Sequence, residues 1–265
     1  LEALDEGCTD VKLYRPLGAP AGTLGFKIYR CGEPVALSDS LPMLERMGVR
    51  VLTEHPARAL PAGSGPKWIH DFELLALATE QVEIEQVKPL FEDAFGRIFR
   101  GEVENDDFNR LVAAAQLPAA EVVVLRAYAK YLRQIGFALT PSFIEATLNA
   151  QPSIARLLVE LFRRRFEPRE DSAADREVDC AEVIGKIQQA LEAVENLNED
   201  RVLRQVLALI QATTRTNFWR TSEKGERRSF LSFKFDPSKV PGLPEPKPMF
   251  EIFVYSARFE GVHLR

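Results

Sequence analysis

Apolar and polar residues alternate with two different periods in the first hundred residues. In residues 24–30, Leu24, Phe26 and Ile28 share one face and polar side chains the other, which predicts a half-buried strand. The remaining predictions are a helix at 38–47, a strand at 49–53, a loop at 56–67, a strand at 68–76 and a helix from about residue 85. The order β-α-β-β-α is a split βαβ, or ferredoxin-like, pattern.

From residue 102 the apolar period becomes 3.6, and it keeps that value for more than a hundred residues. Thr140 before Pro141 is typical of a helix N-cap, and Asn198 is predicted to cap the last helix. The polar stretch 167–177 between two helical patterns predicts a mobile connector. The middle of the chain is therefore expected to be an all-helical segment.

Period two returns after residue 217. The segments FLSFKF and MFEIFVYS are rich in aromatic and β-branched residues, which favour strands. The prolines of VPGLPEPKP cannot donate to a sheet, so this stretch is predicted to be an extended connector. The fold class is α+β: a ferredoxin-like βαββα domain, an all-helical segment and terminal β-strands.

The composition of the chain argues against several classes of protein. The net charge of −5 provides no general attraction for nucleic acid or anionic membranes, and no apolar run is long enough to span a bilayer. Cys8, Cys31 and Cys180 are far apart in sequence and form no CxxC pair, which favours a reducing cytoplasm over a disulfide framework. The acidic start without Met leads us to expect a segment of a longer chain.

Recognisable catalytic motifs are missing from the sequence. It contains no GxGxxG after a strand, no GxxxxGK[ST], no HExxH and no GxSxG. His70 and Asp71 are strand neighbours that point to opposite faces, which argues against an acid/base pair. The arginines at 163–165 are either a phosphate clamp or the last turn of a helix, where cations offset exposed carbonyls. We assign no catalytic, cofactor-binding or metal-binding residue.

Long literal strings nevertheless resemble a known family, the large NAD-specific glutamate dehydrogenases of bacteria. The strings include FKIYRCGEPVALSDSLPMLERMGVRVLTEHP, FEDAFGRIFRGEVENDDFNRLV and LSFKFDPSKVPGLPEPKPMFEIFVYSARFEGVHLR. The resemblance begins near residue 16 and covers most of the chain. It implies an ACT-like regulatory domain at 1–101, a helical domain at 102–216, and the first strands of a truncated substrate-binding domain at 217–265.

The resemblance also implies a function for the intact enzyme, the NAD-dependent oxidative deamination of L-glutamate to 2-oxoglutarate and ammonium. Its catalytic residues and NAD site would lie downstream of this chain. This chain is then expected to be an inactive regulatory and linker region of a cytoplasmic enzyme. Its partners would be the rest of its polypeptide and sister subunits, with no nucleic acid and no membrane.

ACT-type domains tend to bind ligands at the turn between the first strand and the first helix. The matching residues here are Arg30, Gly32, Ser38 and Asp39, where free N–H groups at the helix start would suit the carboxylate of an amino-acid effector. In the alternative interpretation Ser38 and Asp39 only cap the helix. Two other functions stay open, a stand-alone amino-acid sensor and an oligomerisation scaffold.

Overall fold

A computed structural model describes residues 7–20, 22–60, 65–76, 84–170, 172–223, 225 and 227–264. The chain divides into two compact units, Leu1–Ala119 and Ala120–Arg265. The α+β fold class is confirmed, since an antiparallel sheet with helices is followed by a helical segment and a second sheet.

The first unit contains a four-stranded antiparallel sheet. Its elements are β1 (Thr9–Tyr14), β2 (Thr23–Cys31), α1 (Leu37–Arg46), β3 (Val49–Ala59), β4 (Lys67–Ala76), α2 (Ile84–Phe99), a 3₁₀ turn (Asp107–Arg110) and α3 (Leu111–Ala114). The strand order is β1-β2-β4-β3, so β1 and β3 are the edge strands. The predicted elements are present, and β1 is an additional strand that the sequence analysis did not predict.

The core of this unit lies between one sheet face and α2. Phe26 of β2 packs edge-on against Phe91 and Phe95, with ring centroids 5.6 and 4.9 Å apart. Phe72 of β4 lies directly opposite Phe26 and is also buried. The alternation seen in the sequence therefore buries one face of the sheet, because successive side chains of a strand point to opposite faces.

Strand β3 corrects the predicted loop at 56–67. The strand continues through Pro56 to Ala59 and pairs with β4 over this length. A proline removes one backbone donor, which an edge strand tolerates because one side of it has no partner strand. The proline was therefore a poor indicator of the end of the strand.

In its described residues, the second unit combines five helices with a second antiparallel sheet. Its elements are α4 (Ala119–Gln134), α5 (Pro141–Ala150), α6 (Pro152–Phe166), α7 (Ala173–Leu191), α8 (Leu197–Ala212), β5 (Thr213–Thr216), β6 (Leu231–Phe235), a 3₁₀ turn (Pro237–Lys239), β7 (Glu251–Tyr255) and β8 (Glu260–Leu264). The strands follow one another in the order β5-β6-β7-β8. Residues 213–216, predicted to be helical, form β5.

Aromatic stacking joins α4 to this second sheet. Tyr128 stacks on Phe233 and Tyr131 stacks on Phe235, each with centroids 4.3 Å apart. All four side chains are fully buried. The Tyr128 hydroxyl is hydrogen-bonded to the Thr213 hydroxyl at 2.9 Å, so its polar end is satisfied inside the core.

Helix ends in the second unit agree with the sequence in part. Thr140 caps α5 as predicted, its Oγ1 accepting from the Phe143 N–H. The connector predicted at 167–177 is too long, because α7 already begins at Ala173 and is capped by Ser172. Asn198 is not the cap of α8; Asn196 is, and its Oδ1 accepts from the N–H groups of residues 198 and 199.

The arginines at 163–165 lie in the last turn of α6, as the helix-end interpretation predicted. Arg165 donates from Nη2 to the backbone oxygens of Gln211 and Thr213, both at 3.1 Å. Arg163 pairs with Glu121 at 3.5 Å. Arg165 therefore binds carbonyl oxygens at the end of α8, and Arg163 forms an ion pair within the same unit.

Among the residues that the structure describes, no helix is both long and apolar enough to cross a membrane. The same residues contain no group of three or more His, Cys, Asp or Glu side chains arranged to hold a metal ion.

Candidate functional site

The turn between β2 and α1, predicted to bind an effector, is firmly fixed to β4. The Gly32 N–H donates to the Pro66 oxygen at 2.9 Å, and Trp68 Nε1 donates to the Gly32 oxygen at 3.0 Å. Gly32 has a φ of +99°, a conformation that favours glycine. The turn is thus held on both sides of this glycine peptide.

A buried histidine anchors the same turn closer to α1. The Val35 N–H donates to His70 Nε2 at 3.1 Å, and His70 Nδ1 lies 2.8 Å from Glu54 Oε1. Because Nε2 accepts a hydrogen bond, the proton of the neutral ring lies on Nδ1, which donates to Glu54. His70 is 4% exposed, so it positions the backbone and does not face solvent.

Arg30 lies at the end of β2 and has partners within the domain. Its Nε donates to the Glu33 oxygen and its Nη1 to Thr9 Oγ1, both at 3.0 Å, while its guanidinium lies over the Phe99 ring at 5.4 Å. The side chain is only partly exposed. Arg30 thus supports the turn from the side of β2.

Ser38 and Asp39 are exposed residues in the first turn of α1. The N-cap is Ala36, which contributes no side-chain hydrogen bond, so the alternative in which Ser38 and Asp39 cap the helix is wrong. In the part of the chain that the structure describes, no hydrogen bond or ion pair joins Arg30 to either residue. The structure fixes the turn without linking all four predicted residues through direct contacts.

The face of the first sheet that points away from α2 carries Tyr14, Lys27 and Asp71, and we call it the polar face. It holds a pocket that sequence reasoning did not find. The Tyr14 hydroxyl donates to Asp71 Oδ1 at 2.8 Å, and Lys27 Nζ lies 3.3 Å from Asp71 Oδ2. Burial and the Asp71 hydrogen bond raise the pKa of Tyr14 to about 12. The pocket has a volume of about 200 Å³.

Gly25 makes room for this arrangement. A Cβ at position 25 would overlap the Tyr14 ring, at 2.5 Å from its Cε1 atom. Tyr14 and Gly25 face each other in the β1–β2 register. A glycine in the middle of a predicted strand signals such a close approach, but its partner could not be named without β1. Asp71 lies on this face and His70 on the buried face, as the strand alternation predicted.

The second unit holds a buried carboxyl group that sequence reasoning also missed. Glu251, the first residue of β7, is 2% exposed, and its Oε2 atom has no hydrogen-bond partner among the described residues. Burial raises the pKa of this carboxyl group, and the Tyr131 hydroxyl offsets part of the increase. The pKa of Tyr131 is raised mainly by burial of its hydroxyl group and further by the nearby Glu251 carboxyl group.

Comparison with protein families identifies three consecutive segments. Residues 9–87 match the ACT3 domain of glutamate dehydrogenase, residues 103–168 match its helical motif 3, and residues 186–265 match the catalytic domain of bacterial NAD-glutamate dehydrogenase.

Individual relatives agree with these matches. Over 96% of its own length, the chain is 46% identical to the NAD-specific glutamate dehydrogenase of Pseudomonas aeruginosa. Over 99% of its own length, it is 43% identical to that of Halomonas elongata. It is 42% identical to that of Mycobacterium tuberculosis over 88%. The matched region is only 15–16% of each relative's length. The chain therefore belongs to the family of bacterial NAD-specific glutamate dehydrogenases and matches the region that runs from their ACT3 domain into their catalytic domain.

Proposed function

We propose that the polypeptide containing this chain oxidises L-glutamate to 2-oxoglutarate and ammonium, with NAD as hydride acceptor. Within it, this chain regulates and spaces the catalytic machinery and has no dehydrogenase activity of its own. The observation that carries the proposal is the order of the three matches, which ends within a catalytic domain. The division into 1–101, 102–216 and 217–265 stays a prediction, as do a cytoplasmic location and sister subunits.

The described residues do not fit a site for NAD. Both sheets are antiparallel throughout. Dinucleotides bind where a parallel strand leads through a glycine-rich turn into a helix, which places N–H groups against the pyrophosphate. This supports an NAD site elsewhere in the longer polypeptide.

A rate assay tests the proposal. The purified chain is mixed with L-glutamate and NAD, and reduced nicotinamide is followed by absorbance beside a full-length relative as positive control. We expect turnover from the relative and none from this chain. Sustained turnover by this chain that scales with its concentration would refute its proposed lack of activity.

The clamped turn supports a second candidate function, the sensing of an amino acid. In this proposal Arg30, Gly32, Ser38 and Asp39 bind the effector, whose carboxylate meets the N–H groups at the exposed start of α1. The hydrogen bonds from Gly32 and Val35 to the segment 66–70 hold this turn in place before any ligand arrives. A preformed site requires less ordering when the ligand binds.

Calorimetry with the common amino acids tests the sensor. We expect one of them to bind the chain, and Arg30→Gln to weaken its affinity at least tenfold. Arg50→Gln is the matched control, because Arg50 is an exposed arginine of β3 and the same charge is removed. If no amino acid binds at millimolar concentration, the domain has a role in packing or oligomerisation instead, which light scattering would examine.

A further inference from the structure

Two cysteines that are distant in sequence face each other at the start of β1. The register pairs Thr9 with Arg30, and beyond it the Cys31 N–H donates to the Cys8 oxygen at 3.3 Å. The Gly7 N–H donates to the Cys31 oxygen, also at 3.3 Å, and Gly7 has a φ of +78°. This is a glycine β-bulge, in which residues 7 and 8 together oppose Cys31.

The side chains of these cysteines share one face of the sheet. Arg30 Nη1 donates to Thr9 Oγ1, which places residues 9 and 30 together on the face that packs against α2. Because side chains alternate along a strand, Cys8 and Cys31 both point to the polar face. A backbone hydrogen bond joins Cys31 to Cys8, and residues bonded in this way across antiparallel strands have Cα atoms roughly 5.5 Å apart, within the range of about 4.4–6.8 Å found in disulfides.

The two thiols differ in accessibility. Both are free; Cys8 is exposed, whereas Cys31 is 4% exposed. A small oxidant in solution can therefore reach Cys8, while Cys31 is sheltered next to it. An accessible thiol next to a second cysteine is the geometry in which an oxidised thiol can be resolved as a disulfide. Cys180 is buried in α7 of the second unit and serves as an internal reference.

We propose that Cys8 and Cys31 are a redox modification site that closes an intrachain disulfide when a hydroperoxide oxidises the protein. The Cys8 thiolate attacks the peroxide, the O–O bond breaks, and Cys8 becomes a sulfenic acid as one water is released. The Cys31 sulfur then attacks the Cys8 sulfur, the S–O bond breaks, and hydroxide leaves with the thiol proton as a second water. Two thiols are oxidised and one hydrogen peroxide is reduced to two waters.

The disulfide would restrain the turn between β2 and α1. Cys31 precedes Gly32, whose peptide is already clamped to residues 66 and 68. A covalent bond from Cys8 to Cys31 would add the start of β1 to this clamp. Opening of the turn should then become rarer in the oxidised chain, because β1 and β2 could no longer separate at this end.

Peptide mapping tests the proposal. The native chain is treated with hydrogen peroxide, its remaining thiols are alkylated, and the digest is analysed by mass spectrometry. We expect one peptide pair joined through Cys8 and Cys31, with Cys180 alkylated and the link reversed by dithiothreitol. Recovery of alkylated Cys31 beside a Cys8 that is over-oxidised, or linked to a second chain, would overturn the proposal.

Two variants and a second measurement complete the test. Cys180→Ser should form the same linked pair, whereas Cys8→Ser, a change at an exposed position, should fold normally and form none. In hydrogen exchange, residues 30–36 should exchange more slowly in the oxidised wild type than in the reduced one. Equal exchange in both forms would contradict the proposed restraint on the turn.

Discussion

Single residues determine how the polar face of the first sheet is built. The Tyr14 ring lies flat against β2 only because residue 25 has no side chain, and this brings the Tyr14 hydroxyl to Asp71. The glycine is visible in the sequence. The structural reason for it could not be predicted, because Tyr14 belongs to a strand with only two buried positions, Val11 and Leu13. So short an alternation is too weak to predict a strand.

Gly25→Ala should therefore destabilise the first unit. The new methyl group forces the Tyr14 ring away and breaks its bond to Asp71, at a cost of about 1–3 kcal/mol. Gly185→Ala in α7 is the control, because nothing lies within 4 Å of the place that its new Cβ would occupy; it should stabilise by roughly 0.5–1 kcal/mol. Urea unfolding measures both. Equal effects from the two substitutions would contradict the close approach.

His70→Ala tests the anchor of the turn. It leaves the Val35 N–H and the Glu54 carboxylate without their partner, which should lower the free energy of unfolding by about 1–3 kcal/mol. His55→Ala, at an exposed position of β3, should change it by less than about 0.5 kcal/mol. Chemical denaturation of both variants gives the comparison, and a neutral His70→Ala would show that the anchor is dispensable.

The buried carboxyl group of Glu251 leads us to expect that the stability of the second unit depends on pH. Burial raises the pKa of its carboxyl group above the usual 4.5, so its stabilising contribution is complete below that value. The contribution is lost as the pH rises through the higher folded-state pKa. Glu251→Gln should therefore raise the melting temperature at pH 7 relative to wild type, and the gain should shrink towards pH 4. Glu195→Gln, an exposed control, should show no such trend.

Helices and strands match their predicted boundaries where the apolar periodicity and a helix- or strand-breaking residue indicate the same end. Helix α6 occupies the predicted residues 152–166, and strand β4 lies within one residue of its prediction. Two of the misses occur where two capping residues compete and where a proline occupies an edge strand. Asn196 and Asn198 have the same capping chemistry, and only the backbone of residue 196, which is extended, makes it the cap.

This competition gives a test at the level of the helix. Asn196→Ala removes the acceptor for two N–H groups at the start of α8 and should cost about 1 kcal/mol. Asn198→Ala, two residues further on and exposed, should be close to neutral. Denaturation of the two variants side by side decides between them, and the reverse order would restore the cap predicted from sequence.

In the whole molecule, each unit has its own aromatic core and its own tryptophan. Trp68 lies in β4 of the first unit, and Trp219 packs on Phe162 in the second, with ring centroids 5.4 Å apart. The change of hydrophobic period along the chain predicted this mixture of sheets and helices. It could not predict which strands pair, because register depends on contacts between distant residues. The Gly25–Tyr14 and Cys8–Cys31 neighbours were therefore invisible in the sequence.

The two tryptophans make each unit observable by itself. With Trp219→Phe as background, fluorescence reports on Trp68, and Gly25→Ala should lower the unfolding midpoint of this signal. With Trp68→Phe as background, Asn196→Ala should lower the midpoint reported by Trp219. A substitution that leaves the signal of its own unit unchanged would contradict the assigned packing.

The proline in β3 has a consequence for self-association. Exposed sheet edges are templates on which another chain can add a strand, the route to aggregation and fibrils. Pro56 removes one amide donor from an edge strand of the first sheet. A strand added from another chain would therefore meet a gap in the row of backbone donors here, so strand addition at this edge of the sheet is expected to be disfavoured.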